Sequence, residues 1–518
     1  MAATHELKAG RQAASRSTTH RAEWLFSWPL LAGMAVYLFF FYRGSLLLQD
    51  GDVYWHIATG QWIWRNGAVP MTDPFSHTMA GTAWTAHEWL SDVILAAAHE
   101  VGGWNLVVAL AAASMAAAIA LLTRALLRWL EPIYALLFAV LAEVMTAGHV
   151  LARPHILAMP LLMLWTIELV RASEERRSPR LWLLPLMTLW ANLHGGFTLG
   201  IALAVPFAAE ALLAARKEGR LAPAARAWGT FIALAVASAL LTPHGLQGLL
   251  FTWQVMFENT YALERIGEWQ SPNFHTLHPL ELWLLGGLAL VLHQGLRLPP
   301  IRLILLLGLL HLALKHARNI ELVGLLGPLL IAAPFAEQWR QRPRGQQLEV
   351  GDRLFRKLAL PAGRGAILLG VTALLGATVL NSRADRLQLP ENVAPVRAIA
   401  AVQQAGIQGP VLNSYNSGGF LIYSGIAPFI DGRADVYQNG FMKRYVEALQ
   451  LMNSDGLEGL LDQYRITWTL LDPDSSAVAL LDHLPQWRRL YADKAAVVHV
   501  RADAGTRPNG SQTNDLSN

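Results

Sequence analysis

The sequence predicts a polytopic α-helical membrane bundle of about eleven spans followed by a small soluble α/β domain. Three observations carry this. The chain of 518 residues is 53% hydrophobic and only 15% charged, against about 25% charged in an average soluble domain. Its apolar residues fall in long runs up to about residue 381, and the composition becomes that of a soluble protein from about Arg383. Its basic residues alternate along the chain in step with those runs. Nineteen tryptophans fit a chain with many membrane–water interfaces. The absence of cysteine excludes disulfides, thiolate nucleophiles and Cys-ligated metals. The formal charge of +4 is small, and no nucleic-acid partner is expected.

Residues 1–27 form a polar, basic tail too long for a signal peptide, and the first apolar run has no small-residue cleavage site, so it reads as a retained anchor. A spanning helix needs roughly 20 mostly apolar residues. Runs of that character cover 28–48, 91–124, 132–148, 155–171, 181–194, 197–215, 228–247, 279–295, 301–316, 319–335 and 365–381. The second is long enough to be tilted or partly surface-lying. The fifth and sixth are short and split by His194, Gly195 and Gly196, as in a re-entrant hairpin.

With the N-terminus in the cytoplasm, the inside segments hold twenty-three Lys and Arg. The outside segments before the last span hold six: Arg43, Arg65, Arg153, Arg265, Lys315 and Arg318. This asymmetry sets the orientation, N-terminus in and C-terminus out, in the inner (plasma) membrane. Histidine shows a second asymmetry. Twelve of seventeen lie at or near outer span ends or in outer loops, among them His56, His87, His99, His149, His155, His194 and His316. Asp50, Asp52, Asp73, Glu88, Asp92, Glu258, Glu264 and Glu268 join them. Titratable groups gathered at one face of a bundle mark a functional site.

The core is thus 28–381 with a first outer loop at 49–90, followed by an extracytoplasmic domain at 382–502 and a polar, disordered tail at 503–518. Within that domain "NVAPVRAIAAVQQAG", "GFMKRYVEALQLMN" and "DGLEGLLDQYR" have helical spacing. "GPVLNSYN", "APFIDGRADVY", "ITWTLLD" and "AAVVHVR" read as short strands. "NSGGF" reads as a turn at a helix start.

The first outer loop carries an unusual order: Asp50-Gly51-Asp52, then "YWHIATGQWIWRNG", then "DPFSHTMAGTAWTAHEWLSDVIL" running into the second span. This order resembles the GT-C superfamily of integral membrane glycosyltransferases, which includes protein mannosyltransferases, oligosaccharyltransferases and lipid A aminoarabinose transferases. The resemblance implies a many-span bundle, an acidic motif early in the first outer loop, two surface-lying helices in that loop, and an active site on the outer face. It also implies a polyprenyl-phosphate-linked sugar as donor. Where several members carry a basic-Pro-Pro-Leu segment, this chain has His87 and Glu88.

The reaction so implied, with inversion at the sugar, needs two things. A carboxylate must take or orient the acceptor's proton, and fixed cations must stabilise the departing phosphate. Asp52 is the candidate base. Asp50 is its alternate, a metal ligand, or a helix N-cap. His56 lies one turn after Asp52. Lys315, His316 and Arg318 in "LKHARNIEL" are candidates for the phosphate, as is Arg153 in "GHVLARPHIL". His87, Glu88 and His194 complete the expected substrate-binding set, the last beside glycines that admit close approach. A divalent cation, Mg²⁺ or Mn²⁺, is left open with Asp50 and Asp52 as ligands. The acceptor is unspecified: glycan, lipid or protein. Two other readings use the same features: an O-antigen polymerase or ligase, which depends on outer arginines, and a non-enzymatic transporter.

Overall fold

The computed structural model describes residues 26–258, 261, 264–340, 353–383, 387–453 and 456–502. Most of the basic N-terminal tail, the middle of the last loop before residue 364 and the polar C-terminal tail lie outside these residues. Each of the eleven apolar runs is a helix. They are α1 (Trp28–Tyr42), α3 (Trp89–Leu126), α4 (Pro132–Thr146), α5 (Pro154–Glu174), α6 (Leu183–Leu193) and α7 (Phe197–Lys217). After them come α8 (Leu221–Ala239), α10 (Pro279–Gln294), α11 (Pro300–Lys315), α12 (Ile320–Arg340) and α13 (Arg364–Arg383). Two further helices, α2 (Asp52–Asn66) and α9 (Leu246–Glu258), lie in the loops after α1 and α8. Proline in the first turn opens α1, α4, α5, α10 and α11, where its missing N–H costs nothing.

Seven helical segments among the described residues are long and apolar enough to cross a membrane, and α1, α6 and α10 are shorter apolar helices. The chain is an integral membrane protein. α3 runs for 38 residues, about 57 Å at 1.5 Å per residue, nearly twice the ~30 Å hydrocarbon core. It breaks at Gly102–Gly103, where Gly103 takes a left-handed φ of 58° that only glycine adopts cheaply. The part after the break is long enough to span. The arm before it packs with α2 and holds His99, whose Nε2 meets the Tyr423 hydroxyl at 3.1 Å. The two helices that flank the loop after α1 are α2 and this arm. α2 does not present an open apolar face. Val53 to Gly60 are buried between the arm and the C-terminal segment.

From residue 387 the chain forms α14 (Val396–Gln404), β1 (Val411–Asn413), α15 (Gly418–Tyr423), α16 (Asn439–Leu449), α17 (Gly456–Gln463), β2 (Trp468–Leu471), α18 (Ser476–Leu481), β3 (Trp487–Ala492) and β4 (Val497–Arg501). The sheet order is β1-β2-β4-β3, with β1 and β2 parallel and the other pairs antiparallel. "APFIDGRADVY" is not a strand. Its backbone is pinned by side chains instead of a ladder. Asn413 receives the Phe429 N–H on Oδ1 at 2.8 Å and donates to the Ile430 carbonyl at 2.8 Å.

The same stretch locks the C-terminal segment to the first outer loop. Arg433, fully buried, bonds Asp73 of the loop at 2.6 Å and Asp431 at 2.7 Å. Its guanidinium stacks over Trp84 and Phe75 at 4.7 and 5.2 Å. Thr78 Oγ1 donates to the Phe429 carbonyl at 2.6 Å, and the Tyr437 hydroxyl donates to Asp431 at 2.7 Å. With each charge paired and hydrogen-bonded, removing one partner would leave an uncompensated buried charge at a cost of ~3–5 kcal/mol.

Candidate active site

Asp50 and Asp52 stand at the start of α2, just beyond α1. Asp50 Oδ1 accepts the Asp52 N–H at 2.8 Å, which caps the first turn of the helix. Its other oxygen meets Arg153 Nη1 at 2.8 Å. Arg153 Nη2 meets Asp52 Oδ2 at 2.8 Å, so one guanidinium fork bridges the two acids. Asp50, one residue before the N-cap Gly51, thus both takes up the Asp52 N–H and pairs with Arg153. Trp55 Nε1, one turn on, donates to Asp52 Oδ1 at 3.0 Å.

Glu268, in the loop between α9 and α10, extends the cluster. Its carboxylate takes Arg153 Nη1 at 3.3 Å and Arg318 Nη1 at 3.2 Å. Arg318 also lies over the Trp269 ring at 4.5 Å. The two candidate phosphate-binding arginines therefore meet on one carboxylate. His316 Nδ1 bonds the Trp269 carbonyl at 2.5 Å, holding this loop in place. Lys315 does not join the site. Its side chain is exposed with no ion-pair partner among the described residues, and only its carbonyl is used, by Ser271.

A second group sits beside the first, around Glu88. His87 and His194 bring Nε2 to 3.6 and 3.5 Å from Glu88 Oε1, and His56 Nε2 lies 3.9 Å from Oε2. His56 Nδ1 is fixed at 2.6 Å from Asp92 Oδ1 inside the protein. His194 Nδ1 accepts the Gly196 N–H at 3.0 Å, so the turn between α6 and α7 aims Nε2 at Glu88. A Cβ on Gly195 would come tight against Thr252, at 3.2 Å, and into ordinary contact with His87.

The environment separates these groups by charge. Burial pushes Asp52 up to about 8, and Asp50 adds to the rise while Arg153 and the Trp55 hydrogen bond oppose it. Glu268 is held down to about 2: burial would raise it, but Arg153 and Arg318 outweigh that. Burial lowers His56 to about 3 and His194 to about 4, so both are neutral near pH 7. Burial acts the same way on His87, but Glu88 reverses it and the pKa is raised. The histidines, His87 foremost, hold Glu88 below the usual carboxylate range against its burial. Glu88 thus favours the protonated form of His87, while the two flanking imidazoles, His56 and His194, are neutral near pH 7.

The C-terminal segment closes over Asp52. A methyl group on Gly432 would overlap Asp52 Oδ1, and one on Gly51 would overlap the Asn416 carbonyl. The Tyr415 hydroxyl donates to the Gly432 carbonyl at 3.2 Å. Neither Glu268 nor Gly432 carries a local sequence signal for this placement. Glu268 is one of many outer acids, and Gly432 becomes significant only when residues 431–433 fold back on the loop.

Asp50, Asp52 and Glu268 offer the hard oxygen donors that Mg²⁺ or Mn²⁺ prefers. All three face Arg153, however, and no group of three His, Asp or Glu among the described residues is arranged to hold a metal ion. The donor set does not fit a metal as it stands.

The many-helix bundle, with its acidic pair after the first helix and a C-terminal sheet segment seated on that pair, shares its fold with solved structures. No protein-family model and no curated protein matches the chain. Among solved structures it is similar to the archaeal oligosaccharyltransferase AglB from Archaeoglobus fulgidus, in complex with an inhibitory peptide and a dolichol-phosphate. The TM-score is 0.52 at 11% identity, over 86% of this chain and 69% of that one. The apo form of the Archaeoglobus fulgidus oligosaccharyltransferase gives 0.51 at 10% identity, over the same shares. ArnT from Cupriavidus metallidurans bound to undecaprenyl phosphate gives 0.47 at 14% identity, over 92% of this chain and 99% of that one.

Proposed function

We propose that the protein is a membrane glycosyltransferase that moves a sugar from a polyprenyl-phosphate donor to an acceptor nucleophile on the extracytoplasmic face. One observation carries the reading: a half-buried carboxylate pair, Asp50 and Asp52, is joined through Arg153 and Glu268 to Arg318. A base and two fixed guanidiniums then stand side by side. The GT-C fold and the dolichol-phosphate in the archaeal neighbour support a lipid-linked donor. The distribution of basic residues supports an N-terminus inside and residues 382–518 outside.

In the proposed step Asp52 takes the proton of the acceptor as the acceptor atom bonds to the anomeric carbon. The bond from that carbon to the phosphate oxygen breaks, and its electron pair stays on the phosphate. Arg153 and Arg318 stabilise the charge growing there. Glu268 uses only Nη1 of Arg318, so the remaining guanidinium donors of Arg318 are available to the phosphate. A single displacement of this kind inverts the anomeric centre. The transporter reading fits less well, since transporters place their charged groups near the membrane midplane. Asp52→Asn keeps the shape of the side chain and removes the base, so transfer should fall by ~100-fold or more with the fold retained. Transfer near the wild-type rate would reject the assignment.

A further inference from the structure

Helix α9 (Leu246–Glu258) carries an apolar face that the bundle does not cover. At ~100° per residue Leu246, Leu250 and Trp253 fall on one stripe, and they are 60%, 47% and 64% exposed. The opposite stripe is packed. Gly248 and Phe251 are buried, the Phe251 ring lies 4.6 Å from the His87 ring, and Thr252 sits 3.2 Å from where a Cβ on Gly195 would be. Polar side chains occupy one flank, where Gln247 Nε2 donates to Gln254 Oε1 at 3.2 Å. A helix on a water-facing surface turns its polar residues away from the protein. Here leucine and tryptophan take that place, and the glutamines stand at the side.

The position of α9 says what covers the stripe. α8 (Leu221–Ala239) has 19 residues, about 28 Å at 1.5 Å per residue and close to the ~30 Å hydrocarbon core. Its last turn therefore lies at a membrane boundary. The chain turns there at once. Gly245, at a φ of 50°, donates its N–H to the Thr242 carbonyl at 3.1 Å, and α9 begins at the next residue. α9 thus starts at the boundary and not out in water. Exposed leucines stand on the spans at either side, Leu234 in α8 and Leu282 in α10. The site is at this end of the bundle: Asn192 Nδ2, two residues before His194, donates to the Leu241 carbonyl at 3.0 Å.

We propose that the α9 stripe docks on the lipid surface and that this contact clamps Phe251 over His87, coupling the Glu88 group to the membrane. Leucine and tryptophan are side chains that membrane boundaries favour. An interfacial helix sinks its apolar face ~5–10 Å into the headgroup–acyl boundary. Residues 246–255 contain no charged side chain to be carried in with it. The docking does not depend on the glycosyltransferase reading.

The chain has no cysteine, so single cysteines report cleanly. The full-length protein is placed in phosphatidylethanolamine–phosphatidylglycerol liposomes with a nitroxide on Leu246→Cys, Leu250→Cys or Gln247→Cys. Collisions with oxygen, which concentrates in lipid, are compared with collisions with a water-soluble nickel chelate. The oxygen-to-nickel ratio at Leu246→Cys and Leu250→Cys should exceed that at Gln247→Cys by at least ~3-fold. A ratio no higher than at Gln247→Cys would put the stripe in water, and labels that neither reagent reaches would put a protein partner or a second copy on it. Either result overturns the docking. The clamp is read by hydrogen exchange on the unlabelled chain in the same liposomes. Leu246→Glu with Leu250→Glu, both at exposed positions, should speed exchange of residues 246–255 by at least ~10-fold and leave α10 unchanged. Unchanged exchange there would show that the inner face alone holds α9 and would overturn the clamp.

Discussion

The raised pKa of Asp52 sets a specific pH dependence. A carboxyl titrating at about 8 is ionised in only about one molecule in ten at pH 7, because one pH unit below the pKa is a tenfold deficit. If Asp52 is the base, kcat/KM should climb nearly tenfold from pH 7 to pH 9, with an apparent pKa near 8 for the free enzyme. Asp50→Asn removes the neighbouring negative charge, the second contributor to the rise, so the limb should move to lower pH. Stability should move the opposite way to activity. The folded state holds the Asp52 proton between the ordinary carboxylate range and about pH 8, while the unfolded chain has released it. Stability from this group is therefore complete below about pH 4 and lost progressively as the pH rises to about 8. The assay is transfer from a polyprenyl-phosphate sugar across pH 6 to 9, with thermal unfolding of wild type and Asp52→Asn over the same range. A rate already flat from pH 6, or the same rising limb in Asp52→Asn, would refute Asp52 as the titrating base.

Three further outcomes follow from the packing. Gly432→Ala drives a methyl into Asp52 Oδ1 and should abolish most transfer while the thermal midpoint changes little; wild-type activity would show that the C-terminal segment does not seat Asp52. Arg433→Ala strands buried Asp73 and Asp431 and should cost ~3–5 kcal/mol, read as a lowered unfolding midpoint and faster proteolysis between the first outer loop and the C-terminal segment. Arg318→Lys should insert and melt normally but lose at least ~10-fold in transfer, because an ammonium cannot reproduce the guanidinium fork; equal activity in Arg318→Lys would reject paired phosphate recognition.

The helical bundle was legible because spanning a membrane imposes a local rule. Each span must be apolar over its own length, so the helices of the eleven apolar runs announce themselves by composition, and prolines mark several starts. One end of the bundle stood out for the same reason: Arg153, Arg318, His194 and the first-loop acids each sit at a span end that alternation assigns to one face. What joins them was not legible. Glu268 meets Arg153 and Arg318 across more than a hundred and across fifty residues of sequence. No periodicity encodes such a pairing. The break in α3 depends on Gly103 at positive φ, and a pair of glycines inside an apolar run reads equally well as an unbroken helix. "APFIDGRADVY" has the pattern of a strand, yet the buried Asp73–Arg433–Asp431 ion pairs and Asn413 claim its backbone first. Local propensity therefore determined the spans and the face on which the titratable groups gather. Long-range charge pairing and glycine contacts, which exist only after folding, decided which of those groups meet and that the C-terminal segment closes on Asp52.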